Sequence, residues 1–307
     1  MGIDVLQQKI RKMKNPTMVG LDPILQLIPS CIKEEAYKKF GETLMGAAEA
    51  YRIFCFGILE ELKDVVPAVK VQTGCFQALG ADGVRAMEQV IAYAKELDYY
   101  VLMDTMRGDI DCTATALAES YFGGVKVGEN AFLPYPCDAV MTNGYLGSDG
   151  IMPFTKYCKE GKNVFLLAKT SNKSSREVQD LLSGDRIVYQ VILDLAMRWS
   201  TDLFGSKFGF SEIAVAVSGT HPGVLQQMRQ KYDRLFFLVP GYGAQGANGR
   251  DVQYAFNRLG HGAVVCAGRS IIYAYSKAKD DGSNYRLHAR EAAEHMRDDI
   301  NRFVTIL

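Results

Sequence analysis

Tyr99-Tyr100-Val101-Leu102-Met103-Asp104-Thr105-Met106-Arg107-Gly108-Asp109-Ile110 is the stretch that decides the fold. Its short apolar run, Tyr99 to Met103, reads as a buried strand, covered on both faces as in parallel sheets. It delivers Asp104 to the strand end and Asp109 to the start of the next helix. Two carboxylates so spaced can converge on one small pocket, where like charges oppose each other unless a cation lies between them. The residue between them, at position 106, is methionine.

The same pattern recurs on both sides. Strands are predicted at Thr17 to Leu21, Ala68 to Gln72, Tyr99 to Asp104, Ala139 to Asn143, Asn163 to Lys169, Glu212 to Ser218, Arg234 to Val239 and Gly262 to Ala267. Helical periods lie between them: Lys33 to Leu62, Gly83 to Leu97, Asp111 to Phe122, Arg186 to Leu203 and Val224 to Lys231. Eight buried strands alternating with helices indicate the α/β class and a closed (β/α)8 TIM barrel in preference to an open doubly wound sheet. No proline-rich or serine-rich linker divides the chain, so residues 1–307 are read as a single barrel domain with an extra helix at each end, Asp4 to Met13 and Arg286 to Phe303. The long connection Gly123 to Pro136 is expected to be in part an ordered surface loop.

Chemistry in such a barrel gathers at the C-terminal strand ends. Strand one ends in Gly20-Leu21-Asp22-Pro23, strand two in Lys70-Val71-Gln72, strand four in Thr142-Asn143-Gly144-Tyr145 and strand five in Thr170-Ser171-Asn172. The glycine-rich turn Pro240-Gly241-Tyr242-Gly243-Ala244-Gln245-Gly246 and Gly268-Arg269-Ser270 follow strands seven and eight. Close backbone approach, free helix N–H groups and a guanidinium suit a phosphoryl group there. Lys70, Asp104 and Asp109 form either an alternating charge cluster or three solvated rim charges. In Thr170 to Ser175, capping is assigned to Ser174 or Ser175 and recognition of a heterocycle edge to Ser171.

Lys plus Arg and Asp plus Glu are both 35, a balance that gives no sign of a nucleic-acid partner. Seven scattered cysteines without a CxxC pair indicate neither a disulfide framework nor a zinc site. His221, His261, His288 and His295 are spread along the chain and point to no metal, and His221 is read as a structural or solvent-facing turn residue. No Walker loop or dinucleotide fingerprint is present. The first residues lack the apolar core of a signal peptide and no run is long enough to span a membrane, so a cytoplasmic location is expected.

The ordered set Val19-Gly20-Leu21-Asp22-Pro23, Lys70-x-Gln72, Asp104-x-x-Arg107-Gly108-Asp109-Ile110 with Thr113, Asn143-x-Tyr145-Leu146-Gly147, Thr170-Ser171-Asn172, Pro240-Gly241-x-Gly243-Ala244-Gln245-Gly246 and Gly268-Arg269-Ser270 resembles the orotidine 5'-monophosphate decarboxylase family in its longer bacterial type. The resemblance covers nearly the whole chain. It implies a dimer with shared active sites, a pyrimidine nucleotide (orotidylate or uridylate) as ligand, and no metal or organic cofactor. It implies further that Asp22 and Lys70 meet the ribose and charge network, that Asp104 lies near the leaving carboxylate, and that Asp109 and Thr113 serve the neighbouring subunit's site. Ser171 would meet the ring, Gln245 and Arg269 would hold the phosphate, and Gln72, Asn143, Gly243 and Gly268 would complete the binding motifs.

The family pattern is Asp-x-Lys-x-x-Asp, with the lysine protonating C6 as carbon dioxide leaves; here Met106 stands in its place. Methionine fills the volume of the lysine stem but donates no proton. Arg107 is not expected to replace it, because neighbouring strand residues face opposite ways. Without that ammonium, Asp104 or Asp109 is expected to titrate above the ordinary range. Val71, Gly144, Lys173 and Ala247 are smaller departures from the pattern, and Lys173 is a possible substitute cation. Three functions follow: a weakened decarboxylase, a pyrimidine-nucleotide binding protein without that activity, or an enzyme acting on another phosphorylated substrate.

Overall fold

The eight apolar runs form parallel strands in the computed structural model, which describes residues 2–307. They are β1 (Thr17–Leu21), β2 (Ala68–Gln72), β3 (Tyr100–Asp104), β4 (Ala139–Asn143), β5 (Asn163–Lys169), β6 (Ile213–Val217), β7 (Phe237–Pro240) and β8 (Ala263–Ala267). They close into a barrel, each strand hydrogen-bonded to its neighbour in sequence and β8 to β1. Every residue of β1, β3, β6 and β8 is buried, as expected of strands enclosed by a filled interior and an outer ring of helices. In register, Lys70 pairs with Gly20 and Leu102, and Gln72 with Asp104. Side chains two apart share a face, so this register brings Lys70, Gln72 and Asp104 to one end of the barrel.

Three predicted helices are broken or shortened in the structure. The single helix expected over Lys33 to Leu62 is two, Ser30–Phe40 and Leu44–Leu62. Gly41 breaks it at φ +69°, and Thr43 caps the second by accepting the Gly46 N–H at 3.1 Å. The helix begun at Asp111 ends at Ala118 and runs on as a π-turn over Glu119–Gly123. Arg186–Ile187 pairs with Leu182–Ser183, so the following helix is Val188–Trp199. The long connection after Gly123 is in part ordered at the surface, as expected: it holds an exposed hairpin, Val125–Val127 with Asn130–Phe132.

The terminal helices are Gly2–Met13 and Tyr285–Asn301. The first is tied to the N-terminal ends of the strands: Gln7 Oε1 accepts the Gly262 N–H at 3.0 Å, and Glu212 Oε2 accepts the Ile3 N–H at 3.1 Å and Asn163 Nδ2 at 2.6 Å. Burial, only partly offset by these donors, pushes the fully buried Glu212 carboxyl up to about 7. Between pH 4.5 and about 7 the folded chain therefore binds a proton there that the unfolded chain does not, so this contribution to stability falls as pH rises. Glu212→Gln should remove about 2–3 kcal/mol of pH-dependent stability, read as the change in the wild-type-minus-variant difference in urea denaturation between pH 5 and pH 8. An unchanged difference would count against the assignment.

Candidate active site

A cavity of about 410 Å³ opens at the C-terminal strand ends. On one side, Lys70 Nζ lies 2.7 Å from Asp104 Oδ2 and 3.2 Å from Asp22 Oδ1, and Gln72 Nε2 donates to the same Asp104 Oδ2 at 3.0 Å. The Asp104 side chain is 2% exposed, and no protein donor among the described residues reaches its buried Oδ1. Burial works against the Lys70 ammonium, but Asp22 and Asp104 outweigh it and hold its pKa above the ordinary lysine value. Asp104 is also raised: burial and Asp22 push it up, and the bonds from Lys70 and Gln72 only partly restore it. The expected direction is found, but its causes are burial and Asp22. Asp109 instead lies 3.8 Å from the Arg107 guanidinium, partly exposed.

Met106 lines the cavity, 47% exposed, with a left-handed φ of +48°. Such a backbone costs a residue with a Cβ about 1 kcal/mol and is held here by β4. The Met106 N–H bonds Met141 O at 3.0 Å, Asn143 Nδ2 donates to Met106 O at 2.9 Å, and Thr142 Oγ1 donates to Arg107 O at 2.6 Å. Asn143, expected to bind substrate, thus pins this turn and lies outside the cavity wall. Arg107 turns into a separate cavity with Thr105, Tyr121 and Phe154. The turn and not strand alternation sets its direction, since β3 has already ended at Asp104.

Across the cavity lie Gly241, Gln245, Gly268 and Arg269. Gly241, Gly243 and Gly246 all have positive φ. A Cβ on Gly243 would stand 2.7 Å from Ser270 Oγ, so this glycine lets the two loops meet and does not itself form the wall. Ser171 lines the cavity from the end of β5. Asp109 and Thr113 do not, and Thr113 is exposed on the helix Asp111–Ala118. Burial and the nearby carboxylates push the Cys75 thiol up to about 11 and burial pushes Cys266 to about 12, so neither cavity-lining thiol is a thiolate at neutral pH.

The sequence model of the orotidine 5'-phosphate decarboxylase / HUMPS family matches residues 54–280. The chain belongs to that family. It is 35% identical to the orotidine 5'-phosphate decarboxylase of Petrotoga mobilis over 98% of each chain, and 34% identical to that of Clostridium perfringens over 98% of each. The solved OMP decarboxylase of Leishmania donovani aligns with 99% of this chain and 98% of its own, at 26% identity and a TM-score of 0.73.

One charged residue of this family member's cavity was missed in the sequence. Lys169 is 2% exposed at the end of β5, and its signal was the one that marked Lys70, a cation closing an apolar strand. Its Nζ meets Asp180 Oδ1 at 2.6 Å and Ser175 Oγ at 3.4 Å. Ser175 therefore serves this pair instead of capping a helix; the turn Lys173–Glu177 has no side-chain cap. Gln179 accepts the Thr170 N–H at 2.9 Å and donates to Thr170 Oγ1 at 2.8 Å, so the loop folds back beside Ser171. Lys173 is exposed and outside the cavity wall. His221, half-buried, begins the helix Pro222–Lys231; burial, with Lys169 nearby, lowers its pKa. Asp180→Ala should cost about 2 kcal/mol, below the usual loss for a broken buried pair because Asp180 is 38% exposed and water can reach the site. Chemical denaturation measures this, and an unaltered midpoint would contradict it.

Proposed function

We propose that the chain binds orotidylate and uridylate in this cavity and decarboxylates orotidylate to uridylate, within pyrimidine synthesis, at a rate limited by Met106. The observation that supports this reading best is the Asp22–Lys70–Asp104 charge chain facing a glycine-rich turn and Arg269 across one cavity, in a member of this family. Arg269 and Gln245 hold the phosphate, Lys70 and Asp22 the ribose, and Ser171 the ring, with Gln72 steadying Asp104. Binding energy from the phosphate orients the ring against Asp104. When the C6–carboxylate bond breaks, its electron pair stays on C6 and must take up a proton; Met106 has none to give, so water supplies it.

Residues 1–307 act as one barrel domain, and two chains share their sites. Exposed Ile110, Tyr145, Leu146 and Met152 support that pairing, as does the packing of Asp109 against the helix Ser148–Thr155, where its carbonyl would be 2.8 Å from a Cβ on Gly150. Asp109 and Thr113 then reach the partner subunit's cavity. The seven free thiols suit a reducing compartment, and we place the protein in the cytoplasm. Among the described residues no helix is long and apolar enough to cross a membrane.

Carbon dioxide release from orotidylate tests the reading. Slow but measurable turnover is expected, and turnover matching a lysine-bearing relative would refute the role of Met106. A second reading, nucleotide binding without chemistry, is favoured by the lack of a protein donor among the described residues for Asp104 Oδ1. Calorimetric binding of uridylate with no turnover of orotidylate would select it.

A further inference from the structure

We propose that Asp299, on the C-terminal helix Tyr285–Asn301, is a positioning residue for the nucleotide's phosphate: it holds the glycine-rich turn after β7 in its binding shape before the ligand arrives. The inference rests on the reading above that Gln245 and Arg269 hold the phosphate, and it adds to that grip a residue outside the cavity wall.

With Gly241, Gly243 and Gly246 all at positive φ, the turn has much backbone freedom to lose when a ligand orders it. Its own bonds close it on itself. The Gly243 N–H bonds Ala247 O at 2.9 Å, the Gly246 N–H bonds Gly243 O at 3.0 Å, and the Ala247 N–H bonds Gly241 O at 3.1 Å. The tip, Gly243 to Gly246, is exposed. One oxygen outside the turn ties down both of its ends. Asp299 Oδ2 accepts the Tyr242 O–H at 2.9 Å and the Gly249 N–H at 2.7 Å, so the two residues that bracket Gln245 are held to a single atom. Tyr242 lines the cavity and Asp299 does not. Burial and the bond to Asp299 hold the Tyr242 phenol above its ordinary value, so it stays the donor. Gly249 opens the short helix Gly249–Val252, and a Cβ there would stand 2.5 Å from Asp299 O, so a glycine is what lets this helix start rest on the C-terminal helix. A loop ordered before binding spares the ligand that cost, which is how a residue with no contact to the phosphate strengthens its grip. The Asp299 charge by itself would oppose a phosphate, so the carboxylate serves through its two bonds.

Equilibrium binding of uridylate, and of uridine, which lacks the phosphate, to the full chain tests this in the wild type, Asp299→Ala, Asp299→Asn and Tyr242→Phe, with urea denaturation of each. Asp299→Ala should bind uridylate about tenfold more weakly and uridine as the wild type does, since only the phosphate grip loosens. Asp299→Asn keeps an oxygen that accepts both bonds and drops the charge, so it should hold uridylate within about threefold of the wild type. Tyr242→Phe removes one of the two bonds and keeps the ring; its uridylate affinity should fall by about three- to tenfold, a result that stands even if Asp299→Ala does not fold. Three results would overturn the proposal and leave the phosphate reading intact: a lowered unfolding midpoint of Asp299→Ala with unchanged uridylate affinity, an equal loss for uridine and uridylate, or Asp299→Asn as weak as Asp299→Ala. If the wild type binds uridylate no better than uridine, both fall.

Discussion

Met106→Lys is expected to raise turnover of orotidylate by about 10²–10⁴-fold, the range of a positioned general acid. The gain has two sources. A lysine at this position supplies the proton that C6 needs, and it adds a positive charge to the cavity wall that Asp104 shares. The turn already holds residue 106 at φ +48°, a strain that lysine bears as methionine does, and the side chain is 47% exposed, so the longer ammonium has room. Because the new interaction is strongest as charge develops on C6, kcat should rise more than the affinity for uridylate changes. Unchanged turnover with intact uridylate binding would show that more than one ammonium separates this site from a fast decarboxylase.

Lys70→Met is expected to destabilise the fold by about 3–5 kcal/mol near pH 8, the usual cost of leaving a buried charge without its partner. Asp104 is 2% exposed and Asp22 lies 3.2 Å from the same ammonium, so both carboxylates lose their cation together. The pH dependence has a definite sign. Asp104 is already raised, and without Lys70 it rises further, so in the folded variant it holds a proton that the unfolded chain releases near the ordinary carboxylate value. Stability of the variant should therefore decline as pH rises through that window, and its deficit in urea denaturation should be wider at pH 8 than at pH 5. The double variant Lys70→Met with Asp104→Leu should recover much of the stability but none of the nucleotide binding. Equal stability of the single variant and the wild type at pH 8 would overturn this account.

The barrel was legible because each strand is covered on both faces and so reads as a continuous apolar run. The ends predicted for β1, β2, β4 and β5 coincide with those observed. Helix breaks were less legible. Gly41 and Thr43 carry a stop and a cap signal, but the apolar period continues across them. At the site, Asp22, Lys70, Gln72, Asp104, Met106, Ser171, Gln245, Gly268 and Arg269 all line the cavity as their strand-end positions suggested. Asn143 and Gly243 lie outside the cavity wall and hold backbone geometry, a placement that needs the positions of Met106 O and Ser270 Oγ. Lys169 was passed over because its partner, Asp180, lies in a loop whose path no periodicity predicts.

The sequence by itself determined the architecture and the inventory of groups at the strand ends, Met106 among them, since these follow from residue type and spacing along the chain. Only the tertiary structure decided how those groups pair. Lys70 and Asp104 are 34 positions apart, Lys70 and Asp22 48, and barrel closure and register bring them within hydrogen-bond reach. Asp104 faces Asp22 and Lys70 while Asp109 turns to Arg107, because the left-handed turn at Met106 parts the two acids that looked adjacent in the chain. Spacing can say that two carboxylates leave one strand end, but which of their oxygens lacks a donor depends on side chains from other strands.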